Sequence, residues 1–239
     1  TWHSQCHGSC PACRTARKRA SAAGHLLLVA QATEGLALAQ FYQGRLRASA
    51  ETCRQVLALA QEAGEGALQA PLAAAGHVDL AGLCREWNDL VAAAQHLDEA
   101  LALCRRGGTT QTLVEAYIMR ARLCQDQGDL AGAREALRQA RQFSLMEGAY
   151  SVVNFKLSLQ EARLDLAQGA LGAVDRWTRP VAACLDAADR SRPVPSALRA
   201  AQRMMRVRLH LAREAPEAAL EILAPLLAAA EADGRLGQV

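Results

Sequence analysis

Aromatic residues are scarce in this chain of 239 residues, where phenylalanine, tyrosine and tryptophan together make up 4%. Strands of β-sandwiches and β-barrels rely on aromatic and β-branched side chains, so this scarcity argues against an all-β fold. No run of about 18 apolar residues lacks charged or turn residues, and we therefore expect no transmembrane helix. No apolar segment follows basic residues at the N-terminus, so we expect no signal peptide and predict a cytoplasmic protein.

A large excess of one charge is also lacking. The chain has 27 Lys and Arg residues against 24 Asp and Glu residues, a net charge of +3, which is too small to predict nucleic-acid binding. The charged fraction of 21%, with nearly balanced signs, excludes a disordered chain. Ala, Leu, Arg, Glu and Gln dominate instead, and this composition favours helices.

No pattern of catalytic residues is found in the sequence. It contains no phosphate-binding Gly-x-x-x-x-Gly-Lys-Ser/Thr run, no His-Glu-x-x-His motif and no Ser-His-Asp order. His77, with Asp79 close by, and His210 are lone imidazoles on expected helices, and we interpret them as structural or surface residues. We therefore predict that the chain is not an enzyme and holds no cofactor of its own.

Internal repeats organise the chain. Four segments share one design: an apolar helix, a short turn, a Leu and an Ala-rich second helix. That Leu recurs every 40 to 44 residues, and we expect the turns within two residues of Gly44, Asn88, Gly128 and Gly169. The residues 3, 7 and 10 positions after the Leu lie on one helical face and are mostly small or apolar. A fifth, looser unit has helices over 196–213 and 217–232, with Pro216 suited to a first helical turn.

Such helix pairs cannot bury their apolar faces alone, so they stack into a superhelix whose concave side is lined by the first helix of each pair. We predict an all-α fold, a tetratricopeptide-like superhelix of about five stacked antiparallel helix pairs (an α-solenoid). The expected repeats are 22–64, 66–107, 109–147, 149–189 and 196–233, after an N-terminal segment over residues 1–21. The Pro-containing link at Arg192–Pro195 makes the junction of repeats four and five the weakest.

Three motifs carry a resemblance to a known family. The segment Leu83–Leu97, which contains Glu86-Trp87-Asn88-Asp89-Leu90, is similar to a repeat of MalT-type regulators. Tyr42–Arg47 followed by Thr52–Ala60 resembles the preceding repeat of that family, and Leu220–Glu231 resembles its last repeats. The resemblance extends from about Ala22 to Val239 and identifies the chain as similar to the helical-repeat domain of the large ATP-binding LuxR-family transcriptional activators.

The resemblance implies a regulatory role. It implies a domain that senses an effector or a partner, in a fragment that lacks the ATP-binding switch domain and the helix-turn-helix of the regulator. The expected partners are a small-molecule effector or a protein, together with other domains of the same regulator, but neither nucleic acid nor a membrane. The alternative function is a protein-interaction scaffold that binds a peptide or a helix in its groove.

A column of arginines indicates where a ligand binds. Aligned on the turns, Arg122, Arg163 and Arg208 share one position in the first helices of repeats three to five, and Arg120 and Arg206 share another. Stacking brings such residues within about 10 Å of one another and favours an anionic group. The predicted concave-face site comprises Tyr117, Arg120, Arg122, Lys156, Gln160, Arg163 and Arg206. The alternatives are a solvated face with ordinary ion pairs and, for Tyr117 and Gln160, the core.

An N-terminal cluster offers metal or redox chemistry. Cys6, His7, Cys10 and Cys13, with His3 close by, supply enough soft ligands for a tetrahedral zinc ion. The same Cys-x-x-Cys opens a basic helix expected over 15–20, which lowers a thiol pKa and suits redox chemistry. The simpler interpretation is the remnant of a truncated repeat.

The remaining cysteines recur at helical core spacing. Without a secretion signal we predict them to be reduced, buried and unpaired: Cys53, Cys84, Cys104, Cys124 and Cys184. At the second turn we expect Trp87 to replace the glycine used elsewhere and to pack on the helices of its repeat. Either Asn88 or Asp89 is expected to cap the helix that begins near Leu90.

Overall fold

The computed structural model describes residues 26–62, 69–144, 152–189 and 196–232, and every regular element in these ranges is an α-helix. The described helices are α1 (Leu26–Tyr42), α2 (Leu46–Glu62), α3 (Gln69–Glu86), α4 (Leu90–Gly107), α5 (Thr110–Asp126), α6 (Leu130–Ser144), α7 (Val152–Ala167), α8 (Leu171–Asp189), α9 (Ser196–Ala212) and α10 (Pro216–Ala232). They form five consecutive antiparallel pairs, α1–α2 to α9–α10, which we number repeats one to five. The predicted all-α solenoid is confirmed.

Each pair closes through a turn that holds one residue in the left-handed conformation. At the third turn, the N–H of this residue, Gly128, donates to the carbonyl of Gln125 at 3.1 Å, and the N–H of Asp129 donates to that of Cys124 at 2.8 Å. These bonds satisfy carbonyls that the end of a helix leaves free. The left-handed φ angles are 73° at Gly44, 59° at Asn88, 78° at Gly128, 74° at Gly169 and 57° at Glu214. The four predicted turn positions are therefore confirmed.

The second turn corrects one expectation. Asn88, and not Trp87, occupies the left-handed position that glycine takes elsewhere, because asparagine adopts this conformation at lower cost than most residues. The side chain of Trp87 is 43% exposed instead of packed into its repeat. The predicted cap is confirmed for Asp89, whose Oδ1 accepts a hydrogen bond from the N–H of Ala92 at 3.0 Å.

The core lies between the two helices of each pair and between neighbouring pairs. In α6 the residues 3, 7 and 10 positions after Leu130 are Ala133, Leu137 and Ala140, and all three are buried. Together with Leu157 of α7 they belong to one cluster that joins repeats three and four. First helices also contact each other directly, α3 with α5, α5 with α7 and α7 with α9. They therefore form one continuous surface, which is the surface that carries the predicted site.

The cysteines behave as small apolar residues. Cys53, Cys84 and Cys104 are buried and unpaired, as predicted, and the unpaired Cys124 is partly exposed. Burial raises the pKa of the Cys104 thiol to about 11, so this thiol stays protonated at neutral pH. The side chain of Cys184 lies outside the described part of the structure.

Two further expectations concern the N-terminal metal site and transmembrane helices. The metal site expected at Cys6, His7, Cys10 and Cys13 falls within residues 1–25, which lie outside the described part of the structure. Within the described ranges, none of the helices combines the length and the apolar character that crossing a bilayer requires.

Candidate functional site

Polar side chains from all five repeats converge on the surface built by the first helices. Lys156 of α7 donates to Oε1 of Glu115 of α5, 2.6 Å from its Nζ. Burial alone lowers the pKa of Lys156, but the attraction of Glu115, Tyr42 and Asp79 outweighs it, and the pKa is raised. Tyr42 and Asp79 come from α1 and α3, so groups from repeats one to four act on the same amine. We call this surface the inner face, and it comprises Glu34, Tyr42, Asp79, Glu115, Arg122, Lys156, Gln160, Arg163 and Arg208.

One half of the inner face is basic. Burial, together with the charges of Arg122, Arg208 and Arg85, lowers the pKa of Arg163 to about 9. Its Nε is buried and has no hydrogen-bond partner among the described residues. Arg85 differs, because its guanidinium is paired with Asp126 of the next repeat. The basic half therefore contains a cation whose buried nitrogen remains unsatisfied, which is the kind of group that a bound anion stabilises.

Buried amides hold the arginines in place. The Nε of Arg122 donates to Oε1 of Gln160 at 3.2 Å, and Nε2 of Gln160 donates to Oε1 of Gln125 at 2.9 Å. Gln125 in turn donates to the backbone carbonyl of Arg163 at 3.5 Å. Since Gln160 is only 1% exposed, this chain of amides fixes the position of the Arg122 guanidinium from within the protein.

The other half of the inner face is acidic. Burial, followed by repulsion from Asp79 and Glu115, raises the pKa of Glu34 to about 8. Burial and repulsion from Glu115 raise that of Asp79 to about 7, although the charge of Lys156 opposes the change. Lys156 is hydrogen-bonded to Glu115, and in the described chain neither Glu34 nor Asp79 forms a hydrogen bond or an ion pair. The acidic half therefore has two carboxyl groups without a direct counterion.

The structure brings together four of the seven residues that the sequence grouped, namely Arg122, Lys156, Gln160 and Arg163. Tyr117 is stacked on Phe143 of α6, with ring centroids 6.0 Å apart, in the core cluster of repeats three and four. Arg120 pairs with Asp98 of α4, and Arg206 is exposed on α9. Arg120 and Arg206 each lie two positions before an arginine of the inner face, Arg122 or Arg208. Residues two positions apart in a helix are separated by about 200° of rotation, so they point to different sides of the helix.

A comparison with known families agrees with this architecture. The family model described as the MalT-like TPR region matches residues 3–239. The chain belongs to this family. None of the curated proteins compared with the chain matches it.

Sequence reasoning missed the acidic half of this MalT-like TPR domain. Glu34, Asp79 and Glu115 do not share one position relative to their turns, so alignment of the repeats does not reveal them as a column. One signal was nevertheless available. Glu115 and Arg122 are seven residues apart, as are Lys156 and Arg163, and this spacing of two helical turns places both members of each pair on the same face.

A second polar pair lies within repeat two of the domain. His77 is not a lone imidazole, because its Nδ1 lies 3.0 Å from Nδ1 of His96. Burial lowers the pKa of both rings, helped by the charge of His96 on His77 and by that of Arg54 on His96. The described ranges contain no group of three or more His, Cys, Asp or Glu side chains that could hold a metal ion.

Proposed function

We propose that this MalT-like TPR domain is the sensing domain of a LuxR-family, ATP-dependent transcriptional activator, and that an effector with an anionic group binds to its inner face. The observation that carries this proposal is the pair Arg122 and Arg163. The two guanidinium groups come from adjacent repeats and influence each other, and no described carboxylate forms an ion pair with either. An anion placed between them relieves this repulsion and supplies an acceptor for the buried Nε of Arg163.

The position of the site suits a regulatory role. A ligand that contacts both Arg122 and Arg163 bridges repeats three and four, so it favours those arrangements of the repeats in which both contacts form. The ATP-binding switch then belongs to another domain of the same regulator, which responds to the change in this domain. In this proposal the domain itself has no catalytic role.

The alternative is a scaffold that captures a peptide or a helix. It is supported by the exposed ring of Trp87, which borders a shallow depression formed with the first turn, Gly44–Ala48. An exposed aromatic ring beside a turn offers an anchor for an apolar side chain of a partner. This depression involves the turns of repeats one and two, so mutations distinguish it from the arginine site.

The test is a thermal-shift screen of sugars, phosphorylated metabolites and short peptides. We expect anionic compounds to raise Tm, and a ligand at 100 times its Kd stabilises by about 2.7 kcal/mol. The double variant Arg122→Met and Arg163→Met is expected to weaken their binding at least tenfold. The matched control is the double variant Arg134→Met and Arg138→Met in α6, where both arginines are exposed.

Two outcomes contradict the arginine site. In the first, neutral sugars give the strongest shifts and the double variant binds them as tightly as the original protein does. In the second, binding of a peptide is abolished by Trp87→Ala and is unchanged by the arginine double variant, which favours the scaffold.

A further inference from the structure

The second helix of a repeat contacts the next repeat through two positions, four and eleven residues after its first residue. In α2 these positions hold Ala50 and Leu57. Ala50 is buried in one cluster with Leu80 and Leu83 of α3. Leu57 lies so close to α3 that a Cβ atom added to Gly76 would be 2.8 Å from its Cδ2. Both positions therefore face the first helix of the following repeat.

The same positions make the corresponding contact in the other internal repeats. In α4, Leu101 is buried in one cluster with Ala116 of α5. In α6, Arg134 and Arg141 both form ion pairs with carboxylates of α7. In α8, Asp175 pairs with the arginine that directly follows α9. Each junction between repeats therefore uses these positions, through apolar contacts in repeats one and two and through ion pairs in repeats three and four.

In α10 the same two positions hold leucines that nothing in the described chain covers. Leu220 is 62% exposed and Leu227 is 38% exposed, whereas Ala219 is buried on the side of α10 that packs on α9. Ala224 lies between the two leucines and is also exposed. Residues spaced by four and then three positions lie on one side of a helix. We call Leu220, Ala224 and Leu227 the terminal stripe, and it is an apolar junction surface without a neighbouring helix in the described ranges.

The charges around the terminal stripe are all negative. The charged residues of α10 are Glu217, Glu221 and Glu231, and the helix contains neither lysine nor arginine. Glu217 and Glu221 flank the stripe, and Glu231 lies at its C-terminal end. All three are exposed, and none of them forms an ion pair within the part of the chain that the structure describes. A partner with basic residues beside its apolar face is therefore favoured.

A second copy of the domain does not fit this surface. An antiparallel pair of α10 helices that matches Leu220 of each copy with Leu227 of the other brings Glu217 of each copy close to Glu231 of the other. Like charges at such close range repel each other, and no basic residue of α10 offsets the repulsion.

We propose that the terminal stripe docks a partner helix whose apolar face consists of leucine and alanine side chains flanked by lysine or arginine. Such a helix repeats the apolar contact that α3 makes with α2, and its cations meet the glutamates that border the stripe. The inference goes beyond the proposed function. It concerns the outer end of the solenoid, and no residue of the inner face takes part in it.

The experiment compares two synthetic amphipathic helices with the same leucine and alanine face, one flanked by lysines and the other by glutamates. Each is labelled with a fluorophore and titrated with this domain, and fluorescence anisotropy measures binding. We expect the lysine helix to bind at least tenfold more tightly than the glutamate helix, and its affinity to fall as salt is added. The double variant Glu217→Gln and Glu221→Gln is expected to reduce this preference.

Leucine variants locate the binding surface. Leu220→Ser combined with Leu227→Ser is expected to weaken binding of the lysine helix at least tenfold. The matched control combines Val91→Ser and Val152→Ser, which remove exposed apolar side chains at other positions, and is expected to change the affinity less than twofold. Because both leucines are exposed, each serine substitution in α10 is expected to change Tm by no more than about 2 °C.

Four outcomes overturn the inference. The two helices bind equally, neither binds up to millimolar concentrations, or the leucine variant binds the lysine helix as tightly as the original protein does. In the fourth, sedimentation shows a dimer that the leucine variant dissociates, so that a second copy covers the stripe. The proposed effector site is tested separately, because Arg122→Met combined with Arg163→Met is expected to leave binding of the lysine helix unchanged.

Discussion

The Nε of Arg122 donates to Oε1 of Gln160 at 3.2 Å, and this hydrogen bond joins repeat three to repeat four. Gln160 is buried, so its amide reaches no solvent that could replace either of its partners, Arg122 and Gln125. Removal of the Gln160 side chain therefore leaves polar groups unsatisfied inside the protein and also leaves a cavity.

Gln160→Ala is expected to lower the free energy of unfolding by about 2 kcal/mol, since a buried amide and the partners it satisfies are lost together. Urea denaturation measures the change. The matched control is Gln95→Ala on the exposed side of α4, with an expected change within about 0.5 kcal/mol. Equal effects of the two substitutions contradict a structural role for the amide chain.

Glu214→Gly is expected to stabilise the domain by about 0.5 to 1 kcal/mol. Glu214 has a φ of 57°, a backbone conformation that is strained for residues other than glycine, asparagine and aspartate. Glycine removes this strain at some cost in chain entropy. Asn88 has a φ of 59°, and Asn88→Gly is expected to increase the stability less, because asparagine tolerates this conformation. Thermal unfolding of the two variants gives the comparison.

The reverse substitution, Gly128→Ala, isolates the conformational cost. Nothing lies within 4 Å of the added Cβ atom, and the φ angle is 78°, so any loss of stability comes from the backbone conformation and not from a clash. A loss of about 1 kcal/mol is expected in the same thermal unfolding measurement. An unchanged Tm contradicts the account of the turns.

Asp79→Asn is expected to stabilise the domain in alkaline solution. The pKa of Asp79 is about 7 in the folded state, against an ordinary value near 4 in the unfolded chain. The unfolded state therefore loses its proton first, and stability falls as the pH rises from about 4 to about 7. Because the side chain of Asp79 is only partly buried, we expect a gain of about 1 to 2 kcal/mol at pH 8 and almost none at pH 4.

Urea denaturation at several pH values measures this gain. Glu51→Gln serves as the control, because Glu51 is an exposed carboxylate on α2 and its replacement is expected to change stability little at any pH. A gain for Asp79→Asn that does not vary with pH points to better packing and contradicts the electrostatic explanation.

The histidine pair produces the opposite dependence in acid. The pKa values of His77 and His96 are lowered in the folded state, so the unfolded chain takes up protons first when the pH falls below about 6.5. We expect Tm to fall as the pH is lowered from 7 to 5. The Tm of the double variant His77→Gln and His96→Gln is expected to fall less over the same range. NMR titration of the two rings checks the cause, since pKa values at or above 6.5 contradict it.

The turns and buried faces of this domain could be predicted because both depend on local sequence. The left-handed turn position favours Gly or Asn two residues before a recurring Leu, as at Gly128 and Asn88. The spacing of small and apolar residues in α6 identifies its buried side. These signals need no knowledge of distant parts of the chain.

The charge pattern of the inner face could not be predicted in the same way. Asp79 and Lys156 are brought together by the stacking of three repeats, and the sequence does not specify the angle between successive repeats. Arg120 and Arg122 both fit an aligned column of arginines, yet only Arg122 belongs to the inner face. A column in the alignment shows that residues are equivalent, and the rotation of the helix decides which way they face.

The buried thiols make local opening of this domain measurable by chemical labelling. Burial raises the pKa of Cys53, Cys84 and Cys104, so oxidants and alkylating reagents meet a protonated and inaccessible sulfur. Each of these cysteines reacts only when its helix separates from its neighbours, and the three lie in the successive helices α2, α3 and α4. The rate at which each sulfur is labelled thus reports how often that part of the solenoid opens.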